Sequence, residues 1–109
     1  MKRYCLTLDL KNDPELIARY IEYHQQVWPE VIRSIRDSGI LQMEIFHIHT
    51  RLFMIMEVDA SFTFEKKRKM DADNPKVQEW ETLMDQYQQR LPFAQTDEKW
   101  VLMEKIFEL

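Results

Sequence analysis

Tyr20, His24 and Trp28 recur four residues apart in the segment ARYIEYHQQVWPEV, residues 18–31. On an α-helix that spacing stacks a phenol, an imidazole and an indole on one side, in consecutive turns. The chemistry open to such a trio is proton transfer beside an apolar surface. An imidazole titrates near neutrality and so can both take and give a proton. A phenol one turn away can hold a hydroxyl group, and the set could floor a site for a small polar ligand. His24 sits at the centre of an apolar stripe made by Leu16, Ile17, Ile21, Val27, Val31, Ile32 and Ile35. A hydrogen-bonded histidine buried in the core is the commoner explanation of such a position. Pro29 weighs the other way: it has no N–H, so the carbonyl of Gln25 loses its helical partner. The helix is expected to bend beside His24 and open space there, although simple curvature would account for the proline equally well.

Other chemistry-bearing residues have plainer explanations. His47 and His49 share one strand face at the H-x-H spacing of metal sites, and His24 would complete a three-histidine set if that face looks toward the first helix. Two histidines near a strand end account for the same pattern. Trp80 lies in the apolar stripe Val77, Trp80, Leu83, Met84, Tyr87, Leu91, where core packing is the default and a sugar-stacking platform the sharper reading. Glu44 and Glu57 fall in strands, facing solvent or a second subunit, and the run EKKRK (65–69) reads as a solvated helix face. The single cysteine, Cys5, excludes an internal disulfide and reads as a small buried hydrophobe in a strand. There is no glycine-rich phosphate loop, nucleophile elbow or cysteine cluster.

The elements that must position these residues follow from local signals. Residues 3–10, RYCLTLDL, alternate as a strand. Asp13 and Pro14 start a helix as N-cap and first residue, and Gly39, the only glycine, ends it at Ser38. Residues 40–49 and 51–58 read as two strands joined by a turn near Thr50. A short helix is expected over 62–72, and Asn74 with Pro75 starts another. A polar connection over 92–99 leads to a final strand over 100–109. The order is β-α-β-β-α-β, the second helical element being in two pieces. That is the ferredoxin-like arrangement of the α+β class, an antiparallel sheet with helices on one face. The strand over 51–58 is apolar on both sides, Leu52, Met54 and Met56 on one and Phe53 and Ile55 on the other. Helices cover only one face, so a second copy is expected on the other, giving a homodimer joined sheet to sheet.

Length and charge set the remaining limits. The 109 residues suit a single domain, 1–109, and 45% hydrophobic with 31% charged residues is a globular composition. A net charge of −4 gives no reason to expect nucleic acid or an anionic membrane as partner. No apolar run approaches the roughly 18–20 residues of a membrane span, and the first residues carry no hydrophobic leader, so a soluble, cytoplasmic protein is expected.

Read together, Tyr20-x-x-x-His24, VWPEV (27–31), Gly39 and VQEWETLM (77–84) resemble the L-rhamnose mutarotase family, over essentially the whole chain. The resemblance implies a dimeric α+β barrel that interconverts the α and β anomers of a 6-deoxy sugar without cofactor or metal. It places the family's acid/base histidine at His24 and its sugar-contacting tyrosine at Tyr20. Two departures stand out: Met43 replaces a tyrosine of the second strand, and Trp80 is followed by Glu81 where the family has a second tryptophan. A changed lining around a retained histidine implies the same chemistry on a different sugar, with L-fucose the natural candidate. Trp28 and Trp80 would then meet the sugar's C–H face and methyl group, and Glu81 a hydroxyl. Ferredoxin-like monooxygenases and small-ligand-binding modules are the other classes this fold admits. A haem protein would show a Soret band, and a binding module would leave the anomers relaxing at their uncatalysed rate.

Overall fold

Alternating side chains carry the sheet. A computed structural model describes all of residues 1–109. Strand β1, Lys2–Leu10, pairs antiparallel with β3, Arg51–Val58, along nearly its whole length. Strand β2, Ile40–Ile48, pairs with the other edge of β3. The sheet order is β2-β3-β1, with two short strands on the far edge of β1: β4, Gln88–Gln89, and β5, Val101–Leu102. This is the ferredoxin-like order expected. The β2–β3 turn is the two residues His49 and Thr50, and His49 adopts φ +53°, the left-handed geometry a tight hairpin requires.

The final strand is shorter than its apolar sequence led us to expect. β4 pairs with Asp9 and Leu10, and β5 with Leu6 and Thr7, so the two short strands share the far edge of β1. The ladder ends with the Met103 N–H on the Cys5 carbonyl at 2.7 Å, and residues 103–109 continue without regular structure and exposed.

The first helical region is two helices rather than one bent helix. Helix α1, Pro14–Tyr23, starts where Asp13 accepts from the N–H groups of Glu15 and Leu16. Its last turn tightens into i→i+3 bonds, His24 to Ile21 and Gln25 to Glu22, both 3.1 Å. Trp28 is extended at φ −56°, ψ 135°, as a residue preceding proline prefers, and Pro29 becomes the first residue of α2, Pro29–Asp37. Gly39 closes this unit at φ +101°. Helix α3, Phe64–Ala72, is capped by Thr63, and α4, Pro75–Asp85, by Asn74.

All four helices lie on one side of the sheet, over Leu6, Leu8, Leu10, Leu52, Met54 and Met56. The buried residues form two groups instead of one. Tyr20, Val31, Leu52, Trp80 and Met84 belong to the first, and Leu6, Ile40, Met54, Met56 and Phe62 to the second. Ile35, Ile45 and Trp100 touch both, and a cavity occupies the space between. The opposite sheet face carries no helix and exposes Phe46 (51%) and Ile48 (75%) beside Phe53 and Ile55. Cys5 lies on this open face, half-buried and paired with Ile55, because register puts Tyr4 and Leu6 on the helix side. It is therefore not the core residue expected.

Candidate active site

The cavity of about 1060 Å³ opens between the sheet and the helices. Its floor is the helix side of the sheet, including Met43, Ile45 and Met54, and its walls come from α1, α2 and α4. The loop before β5 closes one side with Trp100 and Lys99. Arg90 pins that loop by donating to the carbonyls of Thr96 (3.1 Å) and Glu98 (3.0 Å).

His24 stands on this wall because α1 stops there. The Tyr20 carbonyl would accept from the N–H of His24 in a continuing helix, but that N–H has turned to Ile21. The imidazole takes its place, with Nδ1 2.8 Å from the Tyr20 oxygen. A carbonyl only accepts, so Nδ1 carries the hydrogen, and Nε2 of the neutral ring keeps a free lone pair. Burial pushes the pKa of His24 below its ordinary value, opposed in part by the Tyr20 carbonyl. At neutral pH the ring is therefore a neutral base.

The neighbouring aromatics hold this ring in place. Tyr20 lies 4.4 Å from it, and Trp80 meets it edge-on at 5.5 Å. Trp28 does not reach the cavity; its ring abuts Trp80 at 5.2 Å and 70°, so it braces the indole rather than offering a surface to a ligand. Tyr20 is only 3% exposed, and burial pushes its phenol up to about 12. It therefore acts at neutral pH as a hydroxyl and not as a phenolate. Its oxygen accepts from Nε2 of Gln88 at 3.2 Å.

Met43 and Glu81 both line the cavity, as does Trp80. Burial raises the Glu81 carboxyl above its ordinary pKa, with Lys99 and Lys67 acting against that and Asp71 with it. Lys67 and Asp71 themselves form a half-buried ion pair at 2.7 Å on the cavity rim, so one side of the α3 charge run is not the solvated face expected. The four-residue spacing of Lys67 and Asp71 could have signalled the pair, whereas nothing in the local sequence marked Gln88 or Trp100 as cavity residues. The three-histidine arrangement does not form. His47 faces the helix side but is exposed at the hairpin end, where its Nε2 donates to the His49 carbonyl. Nowhere do three His, Cys, Asp or Glu side chains converge as metal ligands would. Glu57 sits on the open face in an ion pair with Arg3 at 3.0 Å, and Glu44 is exposed beside it.

Fold and site together define a ferredoxin-like α+β protein with an uncharged imidazole and an aromatic wall in a cavity of mixed polar and apolar lining, a class that covers several chemistries. Comparison with known proteins narrows it. The sequence profile of L-rhamnose mutarotase matches residues 3–109, and the chain belongs to that family of carbohydrate-isomerising enzymes. It is 41% identical over 111 residues to the L-fucose mutarotase of Xanthomonas campestris pv. campestris, covering all of this chain and 89% of that protein. A UPF0734 protein of Dictyostelium discoideum is 39% identical over 115 residues, covering 99% and 90%. Among solved structures, L-rhamnose mutarotase from Formosa agariphila superposes with a TM-score of 0.74 at 22% identity, covering 100% and 99% of the two chains. Tetracenomycin F2 cyclase from Streptomyces glaucescens gives 0.60 at 20% identity, covering 100% and 97%. At these identities the two structures speak for the fold alone. Family membership decides for the mutarotase class over the monooxygenase and binding-module readings.

Proposed function

We propose that this protein is an L-fucose mutarotase in which His24 moves the protons. Anomer exchange requires a proton to leave the anomeric hydroxyl and one to reach the ring oxygen. The C1–O5 bond then breaks, the aldehyde turns about C1–C2, and the same steps in reverse close the ring. The sugar's proton count is unchanged, so one imidazole can serve both atoms in turn. Nε2 takes the proton from O1, Nδ1 stays bound to the Tyr20 carbonyl and steadies the ring, and the imidazolium returns a proton to O5. The observation that carries this reading is the free Nε2 of a neutral histidine on the cavity wall.

Tyr20, Trp80, Met43 and Glu81 supply the sugar's surroundings in this account. Trp80 offers apolar surface to a C–H face and the methyl group, with Trp28 bracing it from behind. Met43 and Glu81, where the family has aromatic residues, open the wall on one side and add a hydrogen-bond acceptor. The 41% identity to a protein named L-fucose mutarotase supports the choice of sugar. Measuring exchange on a panel of 6-deoxy sugars by NMR saturation transfer tests it. L-fucose should exchange faster than L-rhamnose, and the opposite order refutes the sugar assignment.

The same reading takes residues 1–109 as one domain acting as a homodimer in the cytoplasm. The uncovered apolar face with Phe46, Ile48, Phe53 and Ile55 supports the dimer. No helix is long and apolar enough to cross a membrane.

A further inference from the structure

The side chain of Gln88 is the one buried polar group left incomplete. It enters from β4 on the cavity wall and is 9% exposed, with Nε2 donating to the Tyr20 hydroxyl at 3.2 Å. Its Oε1 is buried and has no hydrogen-bond partner, alone among the buried side-chain polar atoms. Turning the amide over does not remove the anomaly. Tyr20 would then donate to Oε1, and Nε2 would become the unpartnered atom.

A stranded buried acceptor costs free energy, and proteins rarely keep one without a use for it. An apolar residue would pack at this place without the cost. The Tyr20 phenol is in a related position, since it accepts from Gln88 but gives its own hydrogen to no group in the protein. The pair therefore presents one unfilled acceptor and one unused donor beside His24, whose ring is 4.4 Å from that of Tyr20. That is the complement of a sugar hydroxyl, which both gives and accepts.

We propose that Gln88 is a sugar-binding residue whose Oε1 accepts a hydrogen bond from one hydroxyl of the substrate, while its Nε2 holds Tyr20 in position to donate to the sugar. Gln88 thus sets which hydroxyl pattern the site recognises and orients the ring against His24. The inference rests on the sugar-enzyme reading above. Binding of L-fucose in its cyclic form fills both the acceptor and the donor.

The test measures equilibrium binding through tryptophan fluorescence, using L-fucose and analogues that each lack one hydroxyl, the anomeric one included. Wild type is compared with Gln88→Met, which keeps the unbranched shape, and anomer exchange is followed separately by NMR. Gln88→Met should weaken L-fucose binding about tenfold, equivalent to about 1.4 kcal/mol. One deoxy analogue should bind wild type correspondingly weakly and lose nothing further in the variant. A merely structural glutamine would weaken all the sugars alike, so equal losses across the series, or no loss, overturn the proposal. Failure of wild type to exchange anomers would overturn the mutarotase reading, while the binding series would still decide the role of Gln88. Failure of wild type to bind any of these sugars would overturn both.

Discussion

Replacing Tyr20 by phenylalanine separates two things this residue does at once. Its backbone carbonyl holds the His24 ring, and its hydroxyl accepts from Nε2 of Gln88. The substitution removes only the hydroxyl, so the ring packing and the His24 bond remain. It leaves Nε2 of Gln88 as unpartnered as Oε1 already is, in a side chain that is almost wholly buried. Stranding a buried donor costs about 1–3 kcal/mol. For a chain of 109 residues an unfolding entropy of about 2.1 cal/mol/K per residue makes that a fall in Tm of about 4–13 °C. Calorimetry measures the loss, and adding Gln88→Met should restore most of it, because apolar partners on both sides strand nothing. Sugar binding should stay weak in the double variant despite the recovered Tm. Equal Tm values for wild type and Tyr20→Phe would refute the pairing of phenol and amide on which this reasoning depends.

Three other outcomes follow from the same structure. The pKa of His24 is lowered in the fold, so between that value and about 6.5 the unfolded chain binds more protons, and stability rises with pH across this window. The contribution is fully present above about 6.5 and lost as pH falls through the folded value; kcat/KM should fall over the same acid limb, and an NMR titration of the ring locates it. Gly39→Ala should cost at least about 1–2 kcal/mol from its φ of +101° alone, measured by urea unfolding. The new Cβ would also lie 2.7 Å from Oδ1 of Asp59, which accepts from the backbone and hydroxyl of Ser61. Phe46→Glu on the open sheet face should convert the proposed dimer to monomer in light scattering, and a wild-type monomer would remove the basis for that interface.

Much of the fold was legible because its boundaries are written in single residues. Asp13 with Pro14, Asn74 with Pro75, and Gly39 each mark an end that propensity alone would blur. The apolar projection over 13–38 placed Tyr20, Val31 and Ile35 correctly while assuming a continuous helix, and it misplaced Ile21 and Ile32, which are exposed. The break lies at residues 24–28 because the α1 end tightens and Trp28 must be extended before a proline, effects that add up only when read together. Residues 103–109 look like a strand by composition, yet they leave the β1 edge after Met103, while an edge strand that the sequence did not show, Gln88 and Gln89, pairs with Asp9 and Leu10. That pairing joins two polar residues to a distant strand and leaves no periodicity to read. The site was half visible for the same reason: His24, Tyr20, Met43, Trp80 and Glu81 converge on the cavity, but Trp28 stands behind it. Gln88 and Trp100 come to the cavity by tertiary packing alone.

The central claim is that His24 carries the proton transfer, and anomer exchange of L-fucose in the presence of His24→Ala tests it most directly. Saturation transfer between the two anomeric protons should be strong with wild type. It should fall to the uncatalysed rate with the variant, while circular dichroism shows the variant folded. General acid–base catalysis is worth about 10²–10⁴-fold, so the difference is large against experimental error. A folded His24→Ala protein that exchanges L-fucose at the wild-type rate would contradict the account.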